Sequence, residues 1–367
     1  MRRRPRGHLP PVPVIVRNET PFAHGLAIGM GPDRRSHLGV VVKATYAIPE
    51  RPGSDVLPAP EQIEVTTADE YLKGDVTGSV RTESDSVVFK PRADVIVVGQ
   101  AYAPRGRAVT EVTVGLRVGE RQHTMRVVGD RRWIFPTKLA VVPDASAPEP
   151  FTALPLVYER AFGGFDHEGR GWSRQNPIGR GYIAEKTRES VDGRRLPNLE
   201  DPDRPVRSWD DRPEPVGWGV FGKSWQPRVG LAGLEVDELD PTFGLAADFD
   251  HGFFNGAHPA LQMPYLEGDE EIELVNVTPD GHRRFRLPGR RPAITLRLRS
   301  APGTEPKAYP FDPVLDTLVL LPDDGVFTLA WRASRPLTTD VETAIANIAS
   351  LQITDAGLTS TPPARRR

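Results

Sequence analysis

The stretch from Tyr158 to Gly181 constrains the fold more than any other part of the chain. It holds six glycines, four aromatic residues and four arginines in twenty-four residues, with no helical or strand periodicity. Glycine adopts positive φ at little cost, whereas large aromatic side chains offset the cost of their ordering only when they are buried. The combination predicts a folded, irregular loop that packs onto a β-rich body, and it argues against a disordered linker.

The arginines of this stretch are suited to more than one role. They are Arg160, Arg170, Arg174 and Arg180. A guanidinium group binds carboxylates and phosphates through a planar set of donors, so one hypothesis is an anionic ligand or an acidic partner surface. The alternative, which we favour, is that they pair with Glu159, Asp166 and Glu168 and hold the irregular backbone in place. A nucleotide site is not expected, because no Lys-Ser or Lys-Thr follows the glycines as in a phosphate loop.

Proline and glycine are abundant along the whole chain, with 38 and 34 residues among 367. This usage favours many short elements joined by turns over a helical protein. Residues 110–118 and 122–128 alternate around a turn at Gly119-Glu120, and residues 315–321 and 326–332 are separated by turn residues. Both patterns predict β-hairpins. The sequence therefore predicts a mainly β fold with a β-sandwich-like body, a long irregular Gly/Pro/Trp-rich middle region and one C-terminal helix.

Changes in composition divide the chain into six predicted parts. They are a disordered basic tail (1–11), the first part of the β-rich body (12–150), the irregular loop-rich region (151–265), the second part of the body (266–335), an amphipathic helix (336–353) and a disordered tail (354–367). The helix is predicted because Val341, Ile345, Ile348 and Leu351 recur at helical spacing after a possible threonine cap.

Two apolar runs predict strands of different burial. Residues 38–48 place Lys43 and Thr45 on one face and apolar side chains on the other, which predicts a half-buried strand paired with residues 12–16. Lys43 is then either solvated, which we favour, or projects into a polar site. Residues 95–102 are almost continuously apolar, which predicts a strand buried on both faces.

The charge and the absence of cysteine exclude several classes of function. Lys+Arg 47 and Asp+Glu 49 give a formal net charge of −2, so no global positive field attracts nucleic acid or an anionic membrane. With no cysteine, the chain has no disulfide, thiolate metal ligand or cysteine nucleophile. No signal peptide or membrane-spanning run is evident. We expect a cytoplasmic protein without cofactor or metal that neither binds nucleic acid nor inserts into a membrane.

One cluster of residues suggests an enzyme. Asp248, Asp250 and His251 are closely spaced oxygen and nitrogen groups, which would suit a hydrolase that uses carboxylates of the irregular region or, less well, a metal site. However, the sequence contains no Gly-x-Ser-x-Gly and no His-Glu-x-x-His motif. A structural or carbohydrate-binding module is a further alternative.

Motifs distributed from about residue 12 to residue 335 resemble a known bacterial family, domain of unknown function 2169. The motifs are Asn18-Glu-Thr-Pro-Phe22, Val41-Val-Lys-Ala-Thr45, Lys90-Pro-Arg-Ala-Asp94, Gly99-Gln-Ala-Tyr-Ala-Pro104, Gly129-Asp-Arg-Arg-Trp133, Pro155-Leu-Val-Tyr-Glu-Arg-Ala-Phe-Gly-Gly164, Asn176-Pro-Ile-Gly-Arg-Gly181, Leu196-Pro-Asn-Leu-Glu200, Trp225-Gln-Pro-Arg228, Asp248-Phe-Asp250, Phe253-Phe-Asn255, Asp316-Thr-Leu318 and Trp331-Arg332.

The resemblance implies a partner-binding protein. Members look like adaptors or chaperones that load a toxic effector onto the spike of a type VI secretion system, so the expected partners are a secreted effector and a spike protein. The family carries no established catalytic set, and no catalytic residue is implied here. The predicted partner-binding residues are Arg160, Phe162, Gly163, Gly164, Arg170, Trp172, Arg174, Asn176, Arg180, Trp225 and Arg228.

Overall fold

Strands rich in β-branched and aromatic residues form most of the regular secondary structure, as expected for a mainly β protein. The computed structural model describes residues 15–166, 169–233, 245–246, 248–300 and 303–358. The predicted N-terminal tail and most of the predicted C-terminal tail lie outside these residues.

The described residues form strands of 2 to 12 residues and two short α-helices. The strands are β1 (Ile15–Asn18), β2 (Ala23–Met30), β3 (Ser36–Ala47), β4 (Glu70–Tyr71), β5 (Val80–Thr82), β6 (Ala93–Val97), β7 (Gln100–Tyr102), β8 (Glu111–Val118), β9 (Arg121–Val128), β10 (Trp133–Ile134), β11 (Asp144–Ala145), β12 (Ala153–Pro155), β13 (Phe162–Gly163), β14 (Arg180–Gly181), β15 (Leu199–Glu200), β16 (Gln262–Met263), β17 (Glu271–Val275), β18 (His282–Arg286), β19 (Arg290–Leu298), β20 (Lys307–Phe311), β21 (Val314–Leu321), β22 (Val326–Pro336) and β23 (Ile348–Leu358). The helices are α1 (Arg188–Val191) and α2 (Val341–Ala346). No helix in the described parts of the chain has the length and apolar character needed to cross a membrane.

The two larger sheets form the body. One has the strand order β16-β6-β21-β22-β3-β2, and the other has the order β15-β9-β8-β17-β18. Side chains of both sheets share one core, where the Phe285 ring on β18 stacks on Phe327 of β22 with centroids 5.2 Å apart. The predicted hairpins are present as β8–β9 and β21–β22. Sheets that face each other across a common core are the architecture of a sandwich.

A third sheet, with the order β1-β23-β19-β20, corrects two predictions. First, β1 pairs with β23, whereas the hairpin partner of β3 is β2. Second, only the six residues of α2 are helical within the range 336–353 that was predicted to be a helix. The chain then continues as β23 into residues that were predicted to be a tail. The physical reason is that Leu351 and Ile353 alternate at period two and are fully buried in pairing with β19, so tertiary contacts override the helical spacing.

Lys43 is buried, which corrects the prediction of a solvated strand lysine. Its Nζ donates to Asp85 Oδ2 at 3.0 Å and to the Glu64 carbonyl at 3.1 Å. It belongs to a row of residues across the six-stranded sheet, in which Lys43 lies opposite Ala330, then Thr317, then Asp94. The strand β3 is therefore buried on both faces, because a polar network covers the face that the sequence pattern assigned to solvent.

A second buried lysine extends this network. Lys90 Nζ donates to Asp94 Oδ2 at 2.9 Å and to Thr317 Oγ1 at 3.1 Å. Burial alone would lower the pKa of Lys90, but the carboxylates of Asp94 and Asp316 outweigh burial and raise it. Asp316 in turn accepts from Arg332 Nε at 2.7 Å. The charges of the sheet thus neutralise each other inside the body.

Candidate functional site

The predicted loop, residues 158–181, is folded, and a buried asparagine fixes its path. It begins with a 3-10 turn at Tyr158–Arg160 and returns as β14, which lies parallel to β13. Asn176 is fully buried, and its Nδ2 donates to the carbonyls of Tyr158 at 2.8 Å and Phe162 at 3.0 Å. Its own carbonyl accepts from the Gly164 amide at 2.8 Å. One side chain therefore replaces the regular ladder that an irregular backbone lacks.

Two glycines permit the close approach of the two halves of the loop. Gly163 and Gly164 have φ of 148° and 84°. A Cβ on Gly163 would lie 2.1 Å from the carbonyl oxygen of Asn176, and one on Gly164 would lie 2.2 Å from that of Gly179. Both positions therefore require glycine for backbone conformation and for space.

Two arginines of the loop converge on residues that come from outside it. Arg160 Nη1 and Arg180 Nη1 each donate to Asn198 Oδ1 at 3.1 Å, and both approach Asp130 Oδ1, at 3.3 and 3.5 Å. Burial alone would raise the pKa of Asp130, but the Asn198 hydrogen bond and the guanidinium groups of Arg160, Arg180 and Arg195 lower it. We call Arg160, Arg180 and Arg195 the arginine cluster. Three guanidinium groups around one carboxylate leave an excess of positive charge.

The arginine cluster lines two cavities. Arg160 and Arg180 contribute to the wall of a cavity of about 540 Å³, which also contains Glu159 and Asp324. Arg180 and Arg195 contribute to a second cavity of about 460 Å³, whose wall includes Phe165. Burial and the neighbouring Arg160 charge lower the pKa of Arg180. A carboxylate of a partner would be attracted to the second cavity, whose wall has three arginines and one aspartate, whereas the wall of the first has four carboxylates and three arginines.

Phe165 and Trp172 form an exposed stacked pair, which we call the aromatic tip. Their ring centroids are 6.2 Å apart, and the side chains are 58% and 49% exposed. The backbone between them is closed by the Asp166 amide, which donates to the Gly171 carbonyl at 2.9 Å. Arg194 donates to the Phe165 carbonyl. The tip thus presents apolar rings to solvent on a backbone that hydrogen bonds hold in place.

A second exposed apolar segment, residues 139–142, precedes the irregular region in sequence. Leu139 and Val141 are 93% and 84% exposed. Arg188 fixes the backbone beside them, because its guanidinium donates to the carbonyls of Thr137, Lys138 and Ala140 at 2.8 to 3.2 Å. Of the ten exposed large apolar side chains among the described residues, six fall between residues 134 and 172. Exposed apolar side chains are thus more frequent in this part of the sequence than in the rest of the described chain.

The predicted partner-binding residues separate into two groups. Arg170, Trp172 and Arg174 are exposed, and Arg160 and Arg180 are half-buried beside the cavities. The others are buried and support the surface from inside, which corrects their prediction as contact residues: Phe162, Gly163, Gly164, Asn176, Trp225 and Arg228.

Two of the buried residues have clear structural partners. The Trp225 ring packs edge-on against Tyr158 and Phe221 with centroids 5.1 and 5.2 Å away. Arg228 Nη2 pairs with Glu83 Oε1 at 2.7 Å. Arg228 thus joins the loop-rich region to the body, whereas Trp225 packs within the loop-rich region.

Several arginine partners differ from those predicted. Arg170 pairs with Glu185, and Arg160 and Arg180 approach Asp130. The Glu159 carboxylate accepts from the Ser79 amide and hydroxyl at 2.8 and 2.6 Å. Glu168 lies outside the described residues. These arginines therefore form structural ion pairs, as the favoured interpretation stated. The carboxylates that pair with them lie outside the loop.

The residues of the hydrolase alternative have local structural contacts. Asp250 Oδ1 accepts from the Gly252 amide at 2.7 Å, as an N-cap of a 3-10 turn. His251 Nε2 lies 3.1 Å from the Met30 carbonyl, and its ring packs against Phe89 and Phe249. Among the described residues no three His, Asp or Glu side chains are grouped as metal ligands.

Sequence analysis missed part of the surface. Asp130, Arg195 and Asn198 are far from the loop in sequence, although Asp130 and Asn198 each stand in a motif of the resemblance. Residues 139–142 form a short apolar run without strand-length alternation, followed directly by Pro143. This pattern could have indicated an exposed apolar segment.

The fold and this surface together define a mainly β protein that presents an aromatic, arginine-rich and irregular region to solvent. A family model described as "Uncharacterized protein conserved in bacteria (DUF2169)" matches residues 33–332, and the chain belongs to this family. No curated protein and no solved structure matches the chain.

Proposed function

We propose that the protein is a non-catalytic cytoplasmic adaptor that binds a secreted toxic effector and helps to load it onto the spike of a type VI-like contractile secretion system. The observation that carries the proposal is the aromatic tip, because two large rings are exposed on a backbone that glycines and hydrogen bonds hold in place. A pre-ordered aromatic surface binds a partner with little loss of conformational entropy. Family membership supports the proposal through the resemblance described above.

The charges around the tip support a partner with acidic groups. Arg174 is exposed and forms no ion pair within the described parts of the chain, and Arg170 is paired only at the surface. The arginine cluster adds positive charge at the cavity that Arg180 and Arg195 line. Opposite charges across an interface increase the association rate and select among partners.

The proposal is tested by binding measurements with the effector and spike proteins of the native host. The variant is Trp172→Ala combined with Arg174→Glu, and the matched control is Arg51→Glu, which reverses an exposed arginine of the body. The double variant should lose affinity by about a hundredfold or more, because a ring contact is removed and like charges face each other. The control should bind as the unchanged chain does. Full affinity of a folded double variant would contradict the proposal.

A second candidate function is favoured by the same exposed rings. Stacked aromatic side chains also suit the apolar face of a sugar, so a carbohydrate-binding module is the alternative. The two functions differ in the role of charge. If Trp172→Ala abolishes binding to a cell-wall glycan and Arg174→Glu leaves it unchanged, the carbohydrate function replaces the adaptor function.

A further inference from the structure

An apolar pocket lies where the third sheet meets the end of the six-stranded sheet and α2. Its cavity is about 330 Å³. The apolar wall includes Leu38, Leu296, Leu298, Leu337, Ile345 and Ile348. A cavity of this size accommodates one or two large side chains or a small ligand. None of the lining residues belongs to the aromatic tip or to the arginine cluster.

The rim of this pocket carries an unbalanced charge. Arg299, Lys307 and Arg335 are among the lining residues, and no acidic residue is. The guanidinium of Arg335 lies 4.0 Å from the centre of the Tyr309 ring, and none of the three cations forms an ion pair within the described ranges. Three cations beside an apolar cavity attract a group that is both apolar and anionic.

Other arginines of the same sheet do have acidic partners. Arg290 and Arg291, at the opposite end of β19, pair with Asp355 and Asp312. Carboxylates are therefore present in this sheet, but none of them lines the pocket.

The strands beside the pocket favour a peptide over a small molecule. Lys307 and Tyr309 belong to β20, which is the outer strand of the third sheet, and Ile28 belongs to β2, which is the outer strand of the six-stranded sheet. Outer strands present backbone groups that can pair with an added strand. An extended segment can thus pair along a strand while one of its side chains enters the pocket.

We propose that this pocket is a docking site for an extended acidic segment of a protein partner, with one apolar side chain in the cavity and carboxylates against Arg299, Lys307 and Arg335. The site is separate from the surface of the proposed adaptor function, and the inference does not rest on that function.

The first experiment uses the full chain and a fluorescent peptide that alternates glutamate and leucine. Fluorescence anisotropy should show saturable binding that weakens with added salt, whereas a peptide with lysine in place of glutamate should not bind. Equal binding of both peptides would overturn the role of the rim charges. Binding of decanoate with no binding of the acidic peptide would identify a small-amphiphile site and overturn the proposal.

Variants locate the binding. Lys307→Glu with Arg335→Glu should weaken binding of the acidic peptide about tenfold or more, since attraction becomes repulsion. The matched control is Arg297→Glu, an exposed residue of β19 that does not line the pocket. An equal loss in the control would show nonspecific attraction and overturn the site.

A last measurement avoids the question of whether variants fold. A peptide with a photoreactive group at its central leucine should crosslink, in the unaltered chain, to residues that line the pocket, such as Leu38, Leu296 and Ile345. Crosslinks elsewhere would remove this pocket as the docking site.

Discussion

The six-stranded sheet and the loop of residues 158–181 bury polar groups in different ways. In the sheet, charged side chains pair with each other, as Arg332 does with Asp316 and Lys90 does with Asp94. In the loop, the fully buried Asn176 donates to backbone carbonyls, and glycines provide the space. The sheet satisfies its own backbone through the ladder, so its buried side chains pair with one another and bond the backbone of segments outside the sheet, as Lys43 does with the Glu64 carbonyl. The irregular loop must satisfy its backbone with side chains, and two of its four aromatic rings, Phe165 and Trp172, remain exposed.

The largest difference between the regions should appear when a buried carboxylate is removed. Asp316→Ala leaves Arg332 as an uncompensated buried charge, which should cost about 3–5 kcal/mol of the free energy of unfolding. Asp312→Ala is the control, since Asp312 pairs with Arg291 at the surface and its loss should cost less than about 1 kcal/mol. Urea denaturation measures both. Equal losses would show that the buried pair is not essential to the sheet.

A glycine substitution tests the loop. Gly164→Ala should cost more than the about 1–2 kcal/mol that positive φ alone costs a residue with a Cβ, because the new methyl group meets the Gly179 carbonyl. Gly193→Ala is the matched control, with φ of 76° and open space around its Cβ position. Thermal denaturation compares the two variants. A Gly164→Ala variant as stable as the control would show that the loop halves can separate without loss.

The arginine cluster should give the loop region a pH dependence. The pKa of Asp130 is lowered in the folded chain, so its contribution to stability is present above the unfolded value of 3.8 and is lost as the pH falls through the lowered pKa. Asp130→Asn keeps an acceptor oxygen but does not titrate. The unaltered chain should therefore be more stable than this variant at pH 5, and the difference between their urea midpoints should decrease as the pH falls from 5 to 2. A constant difference would refute the assignment.

The smallest effect is expected at the exposed apolar segment. Leu139→Ser should change the free energy of unfolding by no more than about 0.5 kcal/mol, because the side chain is almost fully solvated already. The control is Leu320→Ala in the sheet, where a buried side chain is lost at a cost of about 2–5 kcal/mol. Chemical denaturation checks both. A large loss at Leu139 would place this segment in the core of the folded protein.

Local sequence patterns predicted the hairpins correctly. They did not predict strand β23, because its conformation depends on pairing with a strand distant in sequence. The β8–β9 and β21–β22 hairpins follow from alternation around a turn, which is information contained within about twenty residues. The spacing of Ile345, Ile348 and Leu351 also fits a helix, and only the neighbouring strand β19 selects the extended form. Local spacing cannot reveal that choice.

The site shows the same limit. Glycine and aromatic content identified the loop, but it did not show which rings face solvent. Trp225 and Phe162 are buried, whereas Phe165 is exposed, and all three are equally apolar in sequence. Asn198 joins the site from a distant motif through hydrogen bonds to both arginines. Orientation and distant partners are set by packing, which residue types alone do not encode.

Strand β1 pairs with β23, and β3 pairs with β22. These pairings delay folding until the later strands have been synthesised. Early strands find their neighbours only near the other end of the described chain, so these contacts close very large loops and form slowly. Hairpins such as β2–β3 can form during synthesis, but β3 keeps an unpaired edge until β22 has left the ribosome. Fragments that end before Val326 should therefore aggregate on refolding, because the edge of β3 that pairs with β22 stays exposed in them.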